Sequence, residues 1–117
     1  MTTVAESDDR AMLDLFERLA LAAGRLVMGV FDGEISVRNK ADHSPVTEAD
    51  SLSETLILKG LREHYPAIPC VAEEEIAEGL VPKALSGTFF LVDPLDGTKE
   101  FINRKTDFTV NIALVRD

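Results

Sequence analysis

One stretch, Leu91-Val92-Asp93-Pro94-Leu95-Asp96-Gly97-Thr98, constrains this chain more than any other. The apolar run Phe89-Phe90-Leu91-Val92 before and within it predicts a buried strand. Asp93 and Asp96 stand just past the predicted end of that strand. Pro94 between them fixes φ and removes an N–H. Gly97 and Thr98 then open a predicted short helix, whose free N–H groups and positive dipole end suit a phosphate. Carboxylates beside an anion-binding helix start describe a site for a hard divalent cation and a phosphate ester. Mg²⁺ fits best, because it takes oxygen ligands and is commonly held by one or two carboxylates together with substrate phosphate.

The bulk properties narrow the partner. At 117 residues the chain is long enough for one modest core. Its formal net charge of −9 repels polymeric nucleic acid, and no Lys/Arg cluster offsets it. An anionic partner is therefore expected to be a small phosphate ester bridged by metal. The single cysteine, Cys70, excludes an intramolecular disulfide and suits a reducing compartment. No charged leader precedes an apolar core, no apolar run is long enough for a transmembrane segment, and no basic amphipathic stretch suggests a membrane surface. The expected location is cytoplasmic.

Taken in order, Met1 to Glu6 reads as a frayed end. Ser7-Asp8-Asp9 reads as a helix cap with an acidic first turn. Leu13, Phe16, Leu19, Ala20, Ala23, Leu26, Val27 and Val30 form a helical stripe that stops near Asp32-Gly33. Glu34 to Arg38 alternates like a short strand, and Lys40 to Pro45 reads as a loop. His43 in that loop has no second His or Cys at ligand spacing and is read as a surface residue. Thr47-Glu48-Ala49-Asp50 resembles a capping box with Asp50 in place of the usual Glu or Gln. It opens a second helix with Ala49, Leu52, Leu56, Ile57 and Leu61 inward, ended by Tyr65-Pro66. Ile68 to Ala72 is a predicted strand that leads directly into Glu73-Glu74-Glu75. Glu78 to Gly87 is a connection, Thr98 to Arg104 a helical turn or loop, and Phe108 to Val115 a last strand with one apolar face.

Glu73, Asp93 and Asp96 each follow or end a predicted strand. If those strands are neighbours, the three carboxylates converge, and two bound Mg²⁺ ions would activate a water and stabilise the leaving oxygen. Thr98 is placed to orient that water with Glu73, the amides of Gly97 and Thr98 to hold phosphate oxygens, and the Leu95 carbonyl to face the metal. The plainer alternative is a strand-to-helix turn whose Asp residues only cap. The acidic cluster upstream argues against it, because capping needs no second cluster.

Asp93-Pro94-Leu95-Asp96-Gly97-Thr98, with Ala72-Glu73-Glu74 and Pro45-Val46-Thr47-Glu48-Ala49-Asp50 before it, resembles the inositol monophosphatase superfamily of Mg²⁺-dependent, lithium-sensitive phosphomonoesterases. Lys99-Glu100-Phe101, Phe108 to Leu114 and the loop from Lys40 to Thr47 are most similar to its 3'(2'),5'-bisphosphate nucleotidase branch. The resemblance implies roles residue by residue. Glu73 binds metal and orients water. Asp93 bridges two metals. Leu95 gives its carbonyl to one metal and Asp96 binds the other. Gly97 and Thr98 contact phosphate. Asp50 supports Thr98 from behind, and Glu74 assists at the metal edge. Two or three Mg²⁺ ions and a homodimer are compatible with the family.

The resemblance also implies an α/β (α+β) fold, the layered α-β-α-β-α arrangement with helices on a mostly antiparallel sheet. Residues 1–117 would form its N-terminal, metal- and phosphate-binding half. Family members are about twice this length, and their C-terminal half carries a Trp-Asp-x-x-Ala-Gly-type motif. This chain has no Trp, so a sheet edge is expected to lack its partner. Three functions follow. The first is hydrolysis of the 3'-phosphate of 3'-phosphoadenosine 5'-phosphate to AMP, clearing a by-product of sulfate assimilation. The second is the same chemistry on inositol monophosphate or another sugar phosphate. The third, of a different class, is a non-catalytic metal-binding fragment.

Overall fold

A computed structural model describes residues 4–40, 45–80 and 87–116. The loop containing His43 and much of the connection between Glu78 and Gly87 lie outside the described residues, as do the first three residues of the expected frayed end. No helix among the described residues is long and apolar enough to cross a membrane.

Helix α1 spans Val4–Phe31. It begins before the expected Ser7 cap, because Ala5 and Glu6 are good helix formers and an interior serine costs little. Met12, Leu15, Ala23 and Val27 are its buried stripe, while Leu13 is 63% exposed, contrary to expectation. The stripe runs through 12, 15, 16, 19, 23 and 27, and Leu13 sits about 100° away from it. No basic residue lies in the last turn of α1. Arg104 supplies that charge from elsewhere, donating to the carbonyl oxygens of Phe31 and Gly33 and covering the Phe31 ring.

Strands β1 (Val37–Asn39) and β2 (Pro45–Thr47) form a short antiparallel ribbon. The expected strand over Glu34–Arg38 shifts toward Asn39, because β2 offers only three residues to pair with. Helix α2 (Glu48–His64) starts from a true capping box. The Thr47 hydroxyl accepts from the Ala49 amide at 3.2 Å, and Asp50 Oδ2 accepts from the Thr47 amide at 2.8 Å. Leu52 is 46% exposed rather than inward, and Leu58 is buried in the core alongside Ile57 and Leu61. Gly60 lets α1 and α2 approach closely, since a Cβ there would lie 2.4 Å from Leu19 Cδ2.

Strand β3 (Cys70–Ala72), the one-turn helix α3 (Glu73–Ala77), strand β4 (Phe89–Asp96), helix α4 (Thr98–Ile102) and strand β5 (Thr109–Val115) complete the chain. The sheet order is β3-β4-β5, with β3 parallel and β5 antiparallel to the central β4. Phe90 and Val92 point into a core built with Met12, Leu15, Ile57, Leu58, Leu61 and Cys70. The other face of β4 is more open, and Leu91 is 46% exposed. The run over Phe89–Val92 is thus buried on one face only.

Strand β4 does not stop at Val92 but continues through both aspartates. Asp93 pairs with Asn111 and Asp96 with Thr109, so Pro94 and Leu95 together oppose Val110. This is a β-bulge, the place in a sheet where a proline without an N–H is tolerated. Beneath it lies a second core of Val27, Ala49, Leu95 and Phe101. Phe31, Phe101 and Phe108 frame that core, with ring centroids 5.2–5.6 Å apart.

Gly97 closes the bulged segment at φ +93°, and a Cβ on it would meet the Asp107 carbonyl oxygen at 2.6 Å. Left-handed backbone costs an ordinary residue about 1–2 kcal/mol and overpacking about 1–3 kcal/mol more. Gly97→Ala is therefore expected to lower stability by roughly 2–5 kcal/mol. Urea unfolding checks this as a lower midpoint at unchanged slope.

Candidate functional site

The site grows out of the parallel register of β3 and β4. Ala72 pairs with Val92, so the next residues along the two strands, Glu73 and Asp93, lie side by side. Asp93 is partly buried, and its Oδ1 atom is buried without a hydrogen-bond partner. Burial pushes the Asp93 carboxyl up to about 7; Glu73 and Asp96 close by push the same way, and the Leu95 amide opposes them. Glu73 and Asp96 therefore both lie close enough to Asp93 to act on its charge, and the three carboxyls form one cluster. Glu73 and Asp96 face solvent, while Asp93 lies deeper.

Helix α2 supports the cluster from behind with three buried polar side chains. The Thr98 hydroxyl donates to Asp50 Oδ1 at 2.9 Å and lies 3.3 Å from the Leu95 carbonyl oxygen. The Ser53 hydroxyl donates to the Pro94 carbonyl oxygen at 2.8 Å. Glu54 accepts from the amides of Glu74 and Glu75, at 2.8 and 2.9 Å, and so caps the start of α3. Burial pushes the Glu54 carboxyl up to about 7, against the pull of those two amides, and the neighbouring Glu74 and Glu75 charges add to the rise.

Lys40 reaches the cluster from the end of β1. Its Nζ lies 3.3 Å from Glu73 Oε1 and 3.0 Å from Glu74 Oε1. Burial alone would lower the Lys40 pKa, but the two carboxylates raise it overall. Burial also raises the Glu74 pKa, with Lys40 opposing. Lys40, Glu73, Leu95, Asp96, Gly97, Thr98, Lys99 and Glu100 line a cleft of about 240 Å³. A larger hollow of about 590 Å³ lies beside Arg62 and Cys70. Its charged residues, Arg62 and Glu75, are already joined at 2.9 and 3.0 Å, whereas the smaller cleft lies beside the Asp93 carboxyl with its unpartnered Oδ1.

Among the described residues, no three His, Cys, Asp or Glu side chains close tightly round a common point. Mg²⁺ does not need such a cage, because it keeps several waters and binds through one or two carboxylates. The donor set is all oxygen, and Asp93 Oδ1 lacks a partner that a cation would supply. The residues present therefore fit a hard divalent cation.

Of the residues singled out in the sequence, Glu73, Leu95, Asp96, Gly97 and Thr98 line the cleft, Asp93 belongs to the cluster beside it, and Asp50 stands behind Thr98. Two expectations change. The aspartates lie on the bulged end of β4 rather than beyond it. Helix α4 has only five residues, so its start offers a few individual amides rather than a strong helix dipole. Sequence reasoning missed Ser53, Glu54 and the reach of Lys40. A signal for the first two was present. Asp50, Ser53 and Glu54 recur at helical spacing on the side of α2 that carries its core residues, where polar side chains are unusual without partners.

Residues 8–117 match the inositol monophosphatase family. The 3'(2'),5'-bisphosphate nucleotidase CysQ of Shigella flexneri is 49% identical over 106 residues, which cover 89% of this chain and 43% of that relative. The chain thus spans less than half the length of the curated relatives it matches. Among solved structures, the extragenic suppressor protein suhB from Bartonella henselae superposes with a TM-score of 0.76 at 29% identity, over 91% of this chain and 41% of that one. Inositol monophosphatase from Anabaena gives a TM-score of 0.73 at 29% identity, over 93% and 36%. On this agreement of sequence and fold, the chain belongs to the inositol monophosphatase family.

Proposed function

We propose that this chain is the metal- and phosphate-binding part of a Mg²⁺-dependent, lithium-sensitive phosphomonoesterase acting in the cytoplasm. Its substrate is 3'-phosphoadenosine 5'-phosphate, which loses its 3'-phosphate to give AMP and so clears a by-product of sulfate assimilation. The observation that carries the chemistry is Glu73, which follows β3, beside the half-buried Asp93, whose Oδ1 atom has no hydrogen-bond partner. The likeness to the CysQ nucleotidase carries the choice of substrate.

Glu73, Asp93, the Leu95 carbonyl and Asp96 would hold the cation. Bound there, Mg²⁺ supplies charge to stabilise the phosphoryl oxygens and lowers the pKa of water. In the reaction, water oxygen bonds to phosphorus, the bond from phosphorus to the ribose 3'-oxygen breaks, and that oxygen leaves with the electron pair and takes up a proton. The Thr98 hydroxyl commits its proton to Asp50, so its lone pairs are free to accept from the attacking water. Glu73 takes the other proton of that water as its oxygen bonds to phosphorus, and that proton passes through solvent to the departing 3'-oxygen. The amides of Gly97 and Thr98 hold the phosphate oxygens. A second reading, with inositol 1-phosphate or another sugar phosphate as substrate, is favoured by the likeness to the Anabaena enzyme.

Phosphate release from 3'-phosphoadenosine 5'-phosphate and from inositol 1-phosphate, measured with Mg²⁺ and with or without Li⁺, tests the reading. Nucleotide-preferring, lithium-sensitive release is expected, falling roughly 100-fold or more in Asp93→Asn. Release that prefers inositol 1-phosphate selects the second substrate. If this chain releases nothing while a version extended to the length of its relatives does, the chain by itself is a non-catalytic metal-binding fragment. Absence of release from the extended version as well overturns the proposal.

The raised Asp93 pKa gives a second prediction. The folded state keeps this proton up to about 7, whereas an ordinary Asp loses it near 3.8. Its contribution to stability is thus complete below about pH 4 and is lost as pH rises through about 7. In EDTA the melting temperature should fall across that window, and less so in Asp93→Asn. Cation binding needs the ionised form, so calorimetric Mg²⁺ affinity should rise about tenfold per pH unit below 7 and then level off.

A further inference from the structure

We propose that Ser53 and Glu54 are positioning residues that set the spacing between the two sides of the carboxylate cluster. The inference rests on the cation site proposed above and goes beyond it, because neither side chain is expected to touch cation or substrate. One side of the cluster is Glu73, at the first position of α3. The other is Asp93 and Asp96, on either side of the Pro94 bulge. Adjacent register brings Glu73 and Asp93 together, but α3 has only five residues and Ala72 offers no side-chain cap. A helix that short does not hold its own direction.

Glu54 supplies the missing restraint. Its two oxygens take the amides of Glu74 and Glu75, both in the first turn of α3. A bidentate grip on consecutive amides fixes the orientation of that turn as well as its position. Ser53 does the same for the opposite side. Pro94 has no register partner in β5, and its carbonyl oxygen accepts from the Ser53 hydroxyl at 2.8 Å. Both residues are at least 96% buried, so water does not compete. They are neighbours on one rigid helix, and the distance between Glu73 and the aspartates is thereby referred to a single element. Groups that orient metal ligands typically change metal affinity by about 10–100-fold when removed.

The test is Mn²⁺ binding to the 117-residue chain, read by the electron paramagnetic resonance of the free ion. The variants are Glu54→Gln, Glu54→Asp, Ser53→Ala, Asp93→Asn and Leu58→Ala. Leu58 is a core residue of the same helix with no polar role, so Leu58→Ala reports what simple destabilisation does to binding. Glu54→Gln and Ser53→Ala should each weaken Mn²⁺ about tenfold, with faster exchange of the Glu74 and Glu75 amides in Glu54→Gln. Leu58→Ala should lower the melting temperature and leave affinity unchanged. Glu54→Asp, whose carboxylate is withdrawn by one methylene, should also bind weakly, and it carries the test if Glu54→Gln does not fold. The inference is overturned, with the cation site intact, if Asp93→Asn loses binding while the Glu54 and Ser53 variants bind like the unaltered chain, or if Leu58→Ala weakens binding as much as they do. If Asp93→Asn binds Mn²⁺ like the unaltered chain, the cation site falls and the inference with it.

Discussion

The parallel pairing of Ala72 with Val92 is the constraint on which the site depends. Carboxylates repel one another, and neither Glu73 nor Asp93 would seek the other's company in a free chain. Burial of Cys70, Ala72, Phe90 and Val92 against the two long helices supplies the force that holds them together. Glu73 adds to the rise that burial causes in the Asp93 carboxyl pKa, and Lys40 offsets the crowded charge by pairing with Glu73. The apolar core and the polar cluster are thus two ends of the same strands.

Helix α2 links those ends. Its apolar positions, Ile57, Leu58 and Leu61, lie toward its C-terminus and pack with α1 and the sheet. Its buried polar positions lie toward its N-terminus and meet the Pro94 turn, Thr98 and α3. Each polar side chain is matched to a backbone group or hydroxyl, which is the condition for burying it at all. The capping box at Thr47 belongs to the same network, since Asp50 uses one oxygen for the helix start and the other for Thr98.

Much of this was legible in the residues. The long first helix, the capping box, the strand order along the chain and the one-faced last strand all follow from period and punctuation. The carboxylates were legible as a group because Glu73, Asp93 and Asp96 each follow an apolar run. Other features were not. Leu13 and Leu52 fit a helical period nearly as well as their buried neighbours, and only the contacting surface decides which of them turns inward. The extension of β4 past Val92 was hidden by Pro94, which ordinarily ends a strand and here sits in a bulge. The partners of Ser53 and Glu54 lie about 41 and 20 residues further along the chain, a separation at which local pattern carries no information.

The bulge at Pro94 and Leu95 has a further consequence, one of parity. Along β4 the even-numbered residues Phe90, Val92 and Pro94 are buried, but the second residue of the bulge, odd-numbered Leu95, is buried too and even-numbered Asp96 after it is exposed. The strand changes face in mid-course. The spacing between the two aspartates therefore acts as a reading frame for everything downstream. Exchange of Leu95 for another apolar residue leaves that frame intact. Loss of one residue from the pair would turn Asp96 toward the second core and expel its successor, so this segment tolerates substitution far better than it tolerates a change of length.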